Sequence, residues 1–518
     1  MITSFDSFLR IACAALPIVW LCVSLCLLRL PGHVACPAGF GLAAVLALAV
    51  WRQGAAEVGS AALEGVLFAL WPVLLIVFAA MLLFRYSEAS GGMARIKAML
   101  SGASPDRRVL ALVFAWGFGG FLEGIAGFGT PVLIPCAILI ALGFPPMTAV
   151  VCCLIANTTS TPFGQVGLPT LTLAGVTGFE AVRLSACIAM QTLVPTLLAP
   201  FLVVMVAGGG VRAVRGVFLI ALAAALSFTL PWLAICLFVG PELPTLAGSV
   251  CTIAGTMAAN RRLYRASGPN ARYRLLPALA PSAPGGGITP GASAFDACLP
   301  FILVFIVVLL ANSVPFVRDA LAPLATAATI YTGAGAKPLV FSWVLTPGVL
   351  ILAATVLSCL IQRRPLSLLA RSAADTARGA WKMAVTVATL IAMAKVMSYG
   401  GMMDEIAAGL AAALGKFFPL AAPAIGTLGT FITGSNTSGA VLFGALQVKA
   451  AAAVGADPSW IVASNMSGGA VGKMISPQSI AVGLGAGGLN GREGDILRQT
   501  IKFSAAFAAL VCLTTFFG

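Results

Sequence analysis

Residues 116–131 read WGFGGFLEGIAGFGTP, and this stretch decides the fold that the sequence predicts. It holds six glycines, one proline and one carboxylate, Glu123, between strongly apolar segments. Each glycine inside a helix costs about 0.8–1 kcal/mol relative to alanine, so the stretch cannot form one regular helix. Interrupted backbone at membrane depth is tolerated only inside protein or against a water-filled cavity. We therefore predict that the stretch lines such a cavity.

A second stretch repeats this pattern in the other half of the chain. Three separate blocks match at offsets of 310, 312 and 308 residues, so the two halves stay in register. Apolar segments that Gly and Pro interrupt at corresponding positions in two halves indicate the midplane site of a secondary transporter. The matched blocks are 121–124 with 431–434, 143–146 with 455–458, and 157–164 with 465–472.

The composition is that of a polytopic membrane protein. Of 518 residues, 60% are hydrophobic and 9% are charged, whereas soluble domains carry about 25% charged residues. We expect an all-α fold, because the spans lack the alternation of polar and apolar residues that a β-barrel requires. The length predicts about 12–14 transmembrane segments. The matched, interrupted blocks predict that these segments form two inverted repeats, each with a re-entrant or hairpin segment and a discontinuous helix.

The net charge of +14 indicates orientation in the membrane rather than binding to nucleic acid. Basic residues concentrate in short connecting segments, which is the positive-inside bias of membrane proteins. On this basis we predict that the segments 85–108 and 363–378 are loops on the inner side.

Residues 260–295 divide the chain into an N-terminal transmembrane half, 1–259, and a C-terminal half, 296–518. The dividing segment carries five arginines without an acid, followed by a Pro/Gly/Ser/Ala-rich stretch. That composition predicts a flexible cytoplasmic linker. The halves contain the core blocks 109–178 and 417–489, respectively.

The first core block is predicted to start with a hairpin whose arms are residues 109–123 and 128–142. The helix that follows from Met147 is predicted to break around 157–169. By the repeat, the second core block should contain a hairpin that turns near 434 and a helix that breaks between 465 and 477.

Two clusters of polar residues lie at these interruptions, at 157–161 and 433–438. Broken helix ends expose backbone N–H groups and a positive dipole end, which favour an anionic ligand. Hydroxyl and amide side chains add hydrogen-bond donors for carboxylate oxygens. The alternative is that the polar side chains only bond to one another between helices. Because the clusters match in register, we favour a binding site.

Lys473 and Glu123 are the strongest single candidates for a functional role. A cation within a span is costly and indicates a functional site, where a substrate carboxylate would neutralise it. Burial favours the protonated form of a carboxylic acid, so Glu123 is a candidate proton carrier. A static ion pair between the two residues is the alternative, and neither interpretation excludes the other.

Chemistry based on histidine, metals or cofactors is not expected. The single histidine, His33, follows Pro31-Gly32 and is predicted to lie in a loop. The thirteen cysteines lie mostly in apolar runs and show no metal-ligand spacing. An intramembrane enzyme would need a nucleophile–base pair or metal ligands within the spans, so it is a remote alternative.

Several motifs resemble those of the bacterial L-lactate permease family, over nearly the whole chain and in the same order. They are FLEGIAGFGTP (121–131), LIAN (154–157), GPELP (240–244), TGSNTS (433–438), GGAVGKMISPQSIAVG (468–483) and GREGD (491–495). The resemblance implies a multi-pass protein of the bacterial inner membrane. It also implies import of L-lactate, D-lactate and glycolate by proton symport.

The resemblance, the repeat and the polar clusters together give the expected site residues. Glu123 is expected to couple transport to protons, and Gly124, Gly127, Gly434 and Gly472 to serve as hinges or points of close approach. The expected substrate-binding residues are Asn157, Thr158, Ser435, Asn436, Thr437, Asn465, Lys473 and Gln478.

We therefore expect a small monocarboxylate, such as a 2-hydroxy acid, and protons as partners of this protein in the lipid bilayer. The alternative is a sodium-coupled carrier of another small carboxylate, because broken helices bind Na⁺ equally well.

Overall fold

The structure, a computed structural model, describes residues 5–24, 28, 30–101, 104–127, 129–264, 273, 294–336, 338–487 and 492–518. The predicted linker, 260–295, lies almost entirely outside the described residues, as do 488–489 at the end of the second core block. In the described part, nearly all regular structure is helical, which confirms the predicted fold class.

The N-terminal half is a run of helices. Two π-helical segments, Ala69–Leu74 and Leu112–Phe118, continue α3 into α4 and α6 into α7, respectively. The helices are α1 (Phe5–Cys22), α2 (Gly32–Ala49), α3 (Ala55–Phe68), α4 (Leu75–Ala89), α5 (Gly92–Ser101), α6 (Arg107–Ala111), α7 (Gly119–Ile125), α8 (Thr130–Ala141), α9 (Pro146–Ser160), α10 (Gly164–Thr177), α11 (Ala181–Gly208), α12 (Phe218–Phe238) and α13 (Pro244–Ala259).

The C-terminal half adds a short β-hairpin to its helices. Strands β1 (Ala325–Ala328) and β2 (Leu339–Ser342) pair antiparallel. The helices are α14 (Ala294–Ser313), α15 (Pro315–Leu321), α16 (Pro347–Ile361), α17 (Leu366–Tyr399), α18 (Met402–Leu414), α19 (Phe418–Thr433), α20 (Asn436–Val454), α21 (Pro458–Ile475), α22 (Pro477–Gly487) and α23 (Glu493–Phe517).

Nine helices of the described residues are long and apolar enough to cross a membrane. A pair bent by 81°, Phe295–Ala311 with Pro315–Leu321, makes a tenth if the two helices together count as one span. The predicted range of 12–14 is reached only if three shorter apolar helices, Leu9–Leu21, Thr130–Ala141 and Pro347–Ile361, count as segments. A helix of fewer than about 17 residues is too short to span the hydrocarbon core alone.

The first core block opens with the hairpin that the glycines predict. Its arms are Arg107–Ile125 and α8, and together they are called hairpin 1 below. The chain reverses at Gly127 and Gly129, whose φ angles are +54° and +87°. Glycine populates this left-handed region without the steric cost that a Cβ imposes.

The helix that follows is interrupted where the sequence predicts. It consists of α9 and α10, called broken helix 1, joined by a 3₁₀ turn at Thr161–Phe163. Gln165 and Val166 then have φ angles of +47° and +52°, and Gly167 has +77°. Positive φ is uncommon for residues with a side chain. The backbone groups freed at this break are therefore available for other contacts.

The second core block contains the same two elements. Hairpin 2 consists of α19 and α20, with Gly434 at the turn (φ +68°). Broken helix 2 consists of α21 and α22, but its break lies at Ser476, at the far end of the predicted interval. Pro477 starts α22 and cannot donate a backbone hydrogen bond to α21. Lys473 is therefore in the last turn of an intact helix, and the inverted relation between the halves stays a prediction.

The two segments predicted as inner loops are largely helical, which corrects that prediction. Helix α5 lies within 85–108, and α17 starts at Leu366 inside 363–378. The charges of α17 follow an amphipathic pattern, because Arg371 and Arg378 are exposed whereas Thr376 is buried. A charged but amphipathic stretch forms a stable helix when its apolar face packs against protein.

An ion pair inside the protein holds α17 against α3. Lys395 Nζ lies 2.7 Å from Glu64 Oε1, and the Tyr399 hydroxyl donates to the same oxygen at 2.8 Å. Tyr331, between the two strands, stacks on Tyr399 with ring centroids 3.8 Å apart. The β-hairpin segment, which the sequence did not predict, therefore covers this pair.

Glycines allow the second hairpin and the second broken helix to pack backbone against backbone. Helix α19 packs along α21. A Cβ on Gly472 would overlap the carbonyl oxygen of Thr427, and a Cβ on Gly468 would overlap that of Pro423. Gly468 and Gly472 therefore lie inside α21 and do not break it. They let the backbone of α21 approach the backbone of α19.

Gly472→Ala should destabilise the protein, because the added methyl group has no space between α19 and α21. Overpacking of this kind costs about 1–3 kcal/mol. Thermal unfolding of the purified protein in detergent measures the effect. Gly41→Ala is the matched control, since a Cβ at that exposed position in α2 meets nothing within 4 Å. Equal melting temperatures for the two variants would contradict the close approach.

Candidate functional site

The tips of both hairpins and the breaks of both broken helices meet at one cavity of about 490 Å³. Its other side is formed by α2 and α17. Both halves of the chain therefore contribute to a single site. Among the lining residues of the core blocks are Glu123, Thr161, Gln165, Gly434, Lys473 and Gln478.

Glu123 and Lys473 form a buried ion pair at this cavity. Lys473 Nζ lies 3.0 Å from Glu123 Oε1, and the side chains are 12% and 3% exposed. Asn157 Nδ2 donates to the other carboxylate oxygen, Oε2, at 2.7 Å. Glu123 is thus held from both sides, by a cation from the second half and by an amide from broken helix 1.

The backbone of broken helix 1 approaches the carboxylate closely. A Cβ on Gly164 would lie 2.5 Å from Glu123 Oε1, so any side chain there would have to displace the carboxylate from its present position. The break after Phe163 therefore does two things: it frees backbone groups and makes room for the carboxylate.

Hairpin 2 presents its polar cluster to the cavity, as predicted. Ser435 caps α20 by accepting a hydrogen bond from the backbone N–H of Ser438 at 3.3 Å. Asn436 accepts a hydrogen bond from Thr430 Oγ1 at 3.2 Å and donates to the Met466 carbonyl at 3.4 Å. These two side chains therefore fix the turn.

Two predicted residues keep free hydrogen-bonding groups at the cavity. Within the described part of the chain, neither Thr437 nor Gln478 makes a side-chain hydrogen bond, although both line the cavity. Gln478 lies directly at the turn of hairpin 2, because a Cβ on Gly434 would overlap its carboxamide. Lys473 has further donors besides the one directed at Glu123.

Three of the predicted residues lie behind the cavity lining. Asn157 reaches the site only through Glu123. Thr158 Oγ1 donates to the Leu154 carbonyl at 3.1 Å, and Asn465 Nδ2 donates to the Gly439 carbonyl at 3.3 Å. In this conformation Thr158 bonds within α9 and Asn465 links α21 to α20, and neither residue lines the cavity.

The remaining predicted glycines are points of close approach. A Cβ on Gly124 would lie 3.0 Å from the Leu246 side chain of α13, and one on Gly127 would lie 2.7 Å from the Gln165 side chain. Their role as hinges stays a prediction.

Gln165 is not among the predicted site residues, although the repeat itself points to it. At the offset of 308 residues Gln165 corresponds to Lys473. Its Nε2 donates to the Ala126 carbonyl at the tip of hairpin 1, 2.8 Å away. Both halves thus place a long polar side chain from the broken helix against a hairpin tip.

The wall formed by α2 and α17 was also missed. His33 lies in the first turn of α2 and lines the cavity, so its predicted place in a loop is wrong. Its ring packs edge-on against Trp381, with centroids 5.5 Å apart. On α17, Lys382 and Thr386 line the cavity next to apolar side chains. These apolar side chains are Met383, Val387 and Leu390.

Comparisons with known proteins give one consistent family. A family profile described as L-lactate permease matches residues 10–518. The L-lactate permease of Streptococcus iniae is 42% identical over 87% of this chain and 92% of its own length. The L-lactate permease of Bacillus subtilis is 32% identical and the glycolate permease GlcA of Escherichia coli K12 is 31% identical, each over 97% of this chain and 94% of its own length.

Among solved structures, the Alcanivorax borkumensis YdaH transporter matches with a TM-score of 0.47 and 15% identity. The match covers 85% of this chain and 84% of that chain.

Lys473→Met should lower the stability strongly, because it leaves the buried Glu123 carboxylate without a counter-charge. Removing one partner of a buried pair costs about 3–5 kcal/mol. The double variant Glu123→Gln/Lys473→Met should recover most of the melting temperature, because no unpaired charge is left.

Lys449→Met is the matched control for this series. Its partner Asp404 is 59% exposed, and exposed pairs contribute about 0–1 kcal/mol. A Lys473→Met variant as stable as Lys449→Met would contradict the buried pair.

Proposed function

Because the chain belongs to the L-lactate permease family, we propose that it imports L-lactate across the bacterial inner membrane by proton symport. The chain is a multi-pass membrane transporter and not an enzyme. One observation carries the proposal: a largely buried carboxylate–lysine pair lies in a cavity next to the hydroxyl and amide groups of hairpin 2 and broken helix 2 and the apolar side chains of α17.

The substrate carboxylate binds at Lys473 in this proposal. An ammonium group with several donors suits a carboxylate. Helix α20 and helix α22 both begin at the cavity, and the positive ends of their dipoles also favour an anion. Lys473 is occupied by Glu123, however, so the substrate has to replace that carboxylate.

Protonation of Glu123 makes this replacement electrically neutral. With Glu123 ionised, the pair carries no net charge. With Glu123 protonated and a monocarboxylate on Lys473, the net charge of these three groups is again zero. Either change alone would leave an unbalanced charge in a largely desolvated site, which is costly. Proton and substrate therefore bind together, which is the basis of symport.

The remaining groups would select a small 2-hydroxy acid. Thr437 and Gln478 have free donors and acceptors for the 2-hydroxyl group, next to Ser435 and Asn436. The apolar side chains of α17 would face the methyl group of lactate. D-lactate and glycolate carry the same carboxylate and hydroxyl, so we include them in the substrate range, and one relative is named as a glycolate permease.

Transport also requires that the cavity open in turn to each side of the membrane. We propose that the core blocks move against α2 and α17. Gly124, Gly127 and Gly434 would act as hinges at the hairpin tips, and α19 and α21 would shift against each other at Gly472. Thr158 and Asn465 would reach the substrate only in the other conformation.

Uptake of labelled L-lactate into proteoliposomes tests the proposal. We expect accumulation when the outside is made acidic without sodium, and no accumulation from a sodium gradient alone. Accumulation that depends on sodium would overturn the proton role but keep the site. No uptake under either gradient would overturn the proposed substrate.

Glu123→Gln should abolish accumulation driven by the pH gradient and retain exchange of lactate for lactate, since the variant cannot release a proton. Glu64→Gln is the matched control, because that buried carboxylate also pairs with a lysine but lies outside the cavity lining. Normal acid-driven accumulation by Glu123→Gln would contradict the coupling role.

A further inference from the structure

Lys382 is a charged side chain of the cavity wall that the proposed exchange at Lys473 does not use. It lies on α17, is exposed and lines the cavity. Among the described residues it makes no salt bridge to a carboxylate. Its Nζ lies 5.6 Å from the centroid of the Trp381 ring, and that ring in turn contacts His33.

The charges that line the cavity do not balance without a ligand. Glu123 and Lys473 cancel each other at 3.0 Å. Among the described residues of the lining, Glu123 is the only carboxylate, so the positive charge of Lys382 has no carboxylate partner there. An anion held at Lys382 balances this charge, whereas its transfer to Lys473 still requires protonation of Glu123.

An ordinary interfacial lysine is the alternative explanation. Lysine next to tryptophan is common at membrane surfaces, where the ammonium group extends into water. On α17, however, Lys382, Thr386 and Leu390 follow one another at intervals of four residues and all line the cavity. Residues at this spacing share one helix face. Lys382 therefore lies on the face of α17 that forms the cavity wall.

We propose that Lys382 is the residue that first captures the substrate anion and delivers it to Lys473. This inference rests on the proposed function and adds a specificity determinant to it. A fixed positive charge at the edge of a narrow, low-dielectric cavity attracts anions and raises their local concentration. Uncharged hydroxy compounds of the same size, such as 1,2-propanediol, gain nothing from it.

Capture by an exposed charge has a recognisable dependence on salt. Ions in solution screen exposed charges much more than buried ones. In the wild-type protein, the affinity for lactate should therefore fall as ionic strength rises, because salt screens the attraction between Lys382 and the anion. The attraction between Lys473 and the anion should change little.

Equilibrium binding of labelled L-lactate to the purified, detergent-solubilised protein tests this role. Binding in detergent does not depend on the side of the membrane to which the cavity opens. Lys382→Gln should raise the Kd about fivefold at low ionic strength. This is the change expected when the attraction between two unit charges at about 4 Å in water is lost. The salt dependence should flatten in the same variant, and Lys382→Arg should restore both values.

Lys416→Gln is the matched control. Lys416 is also exposed and its Nζ lies 5.5 Å from the centroid of the neighbouring Phe417 ring, but it does not line the cavity. We expect its Kd and salt dependence to equal those of the wild-type protein.

The outcomes separate this inference from the proposed function. If the wild-type protein binds lactate and Lys382→Gln binds it with the same Kd and salt dependence, Lys382 is an interfacial anchor and the inference is overturned. If Lys416→Gln weakens binding as much as Lys382→Gln, the effect is one of overall charge, which also overturns it. If the wild-type protein binds no lactate, the proposed function itself fails.

Discussion

The buried ion pair between Glu123 and Lys473 is the interaction on which the rest of this structure depends. Moving two charges out of water costs several kcal/mol per ion, and their attraction offsets that cost only when the geometry is good and further hydrogen bonds are made. Here the cation and the acid come from different halves of the chain, 350 residues apart. The pair therefore stabilises the site only when both core blocks are folded and docked, and Asn157 completes it.

Glycine makes this geometry accessible to the backbone. Gly164 lets broken helix 1 approach the carboxylate, and Gly472 lets α21, which carries Lys473, pack against α19. Each glycine weakens its own helix, so the local sequence alone would not be stable as regular structure. The cost is offset by close backbone packing and by the ion pair, both of which exist only in the assembled fold.

Much of the fold could be predicted from the sequence, because glycine and proline disturb local structure in ways that depend little on the rest of the chain. Gly127 and Gly129 locate the turn of hairpin 1, and Pro477 locates the start of α22. The break of broken helix 2 was predicted over too wide an interval. Gly468 and Gly472 resemble helix breakers in the sequence until the helix against which they pack is known.

The site was predictable on one side only. Glu123, Lys473 and the cluster 433–438 stand out in the sequence as polar residues in apolar surroundings. The internal repeat also relates their positions in the two halves of the chain. The opposite wall gives no such signal, because Lys382 follows a basic stretch and His33 follows a turn. Only the packing of α2 against α17 shows that both face the cavity.

The central claim is that substrate and proton bind together, because a monocarboxylate replaces Glu123 on Lys473. The most direct test is to measure protons taken up from a weakly buffered solution when L-lactate binds to the purified protein near neutral pH. We predict uptake of about one proton per lactate bound, since Lys473 can pair with the lactate carboxylate only when Glu123 is neutral, and none in Glu123→Gln. Tight binding of lactate by the wild-type protein without proton uptake would contradict the account.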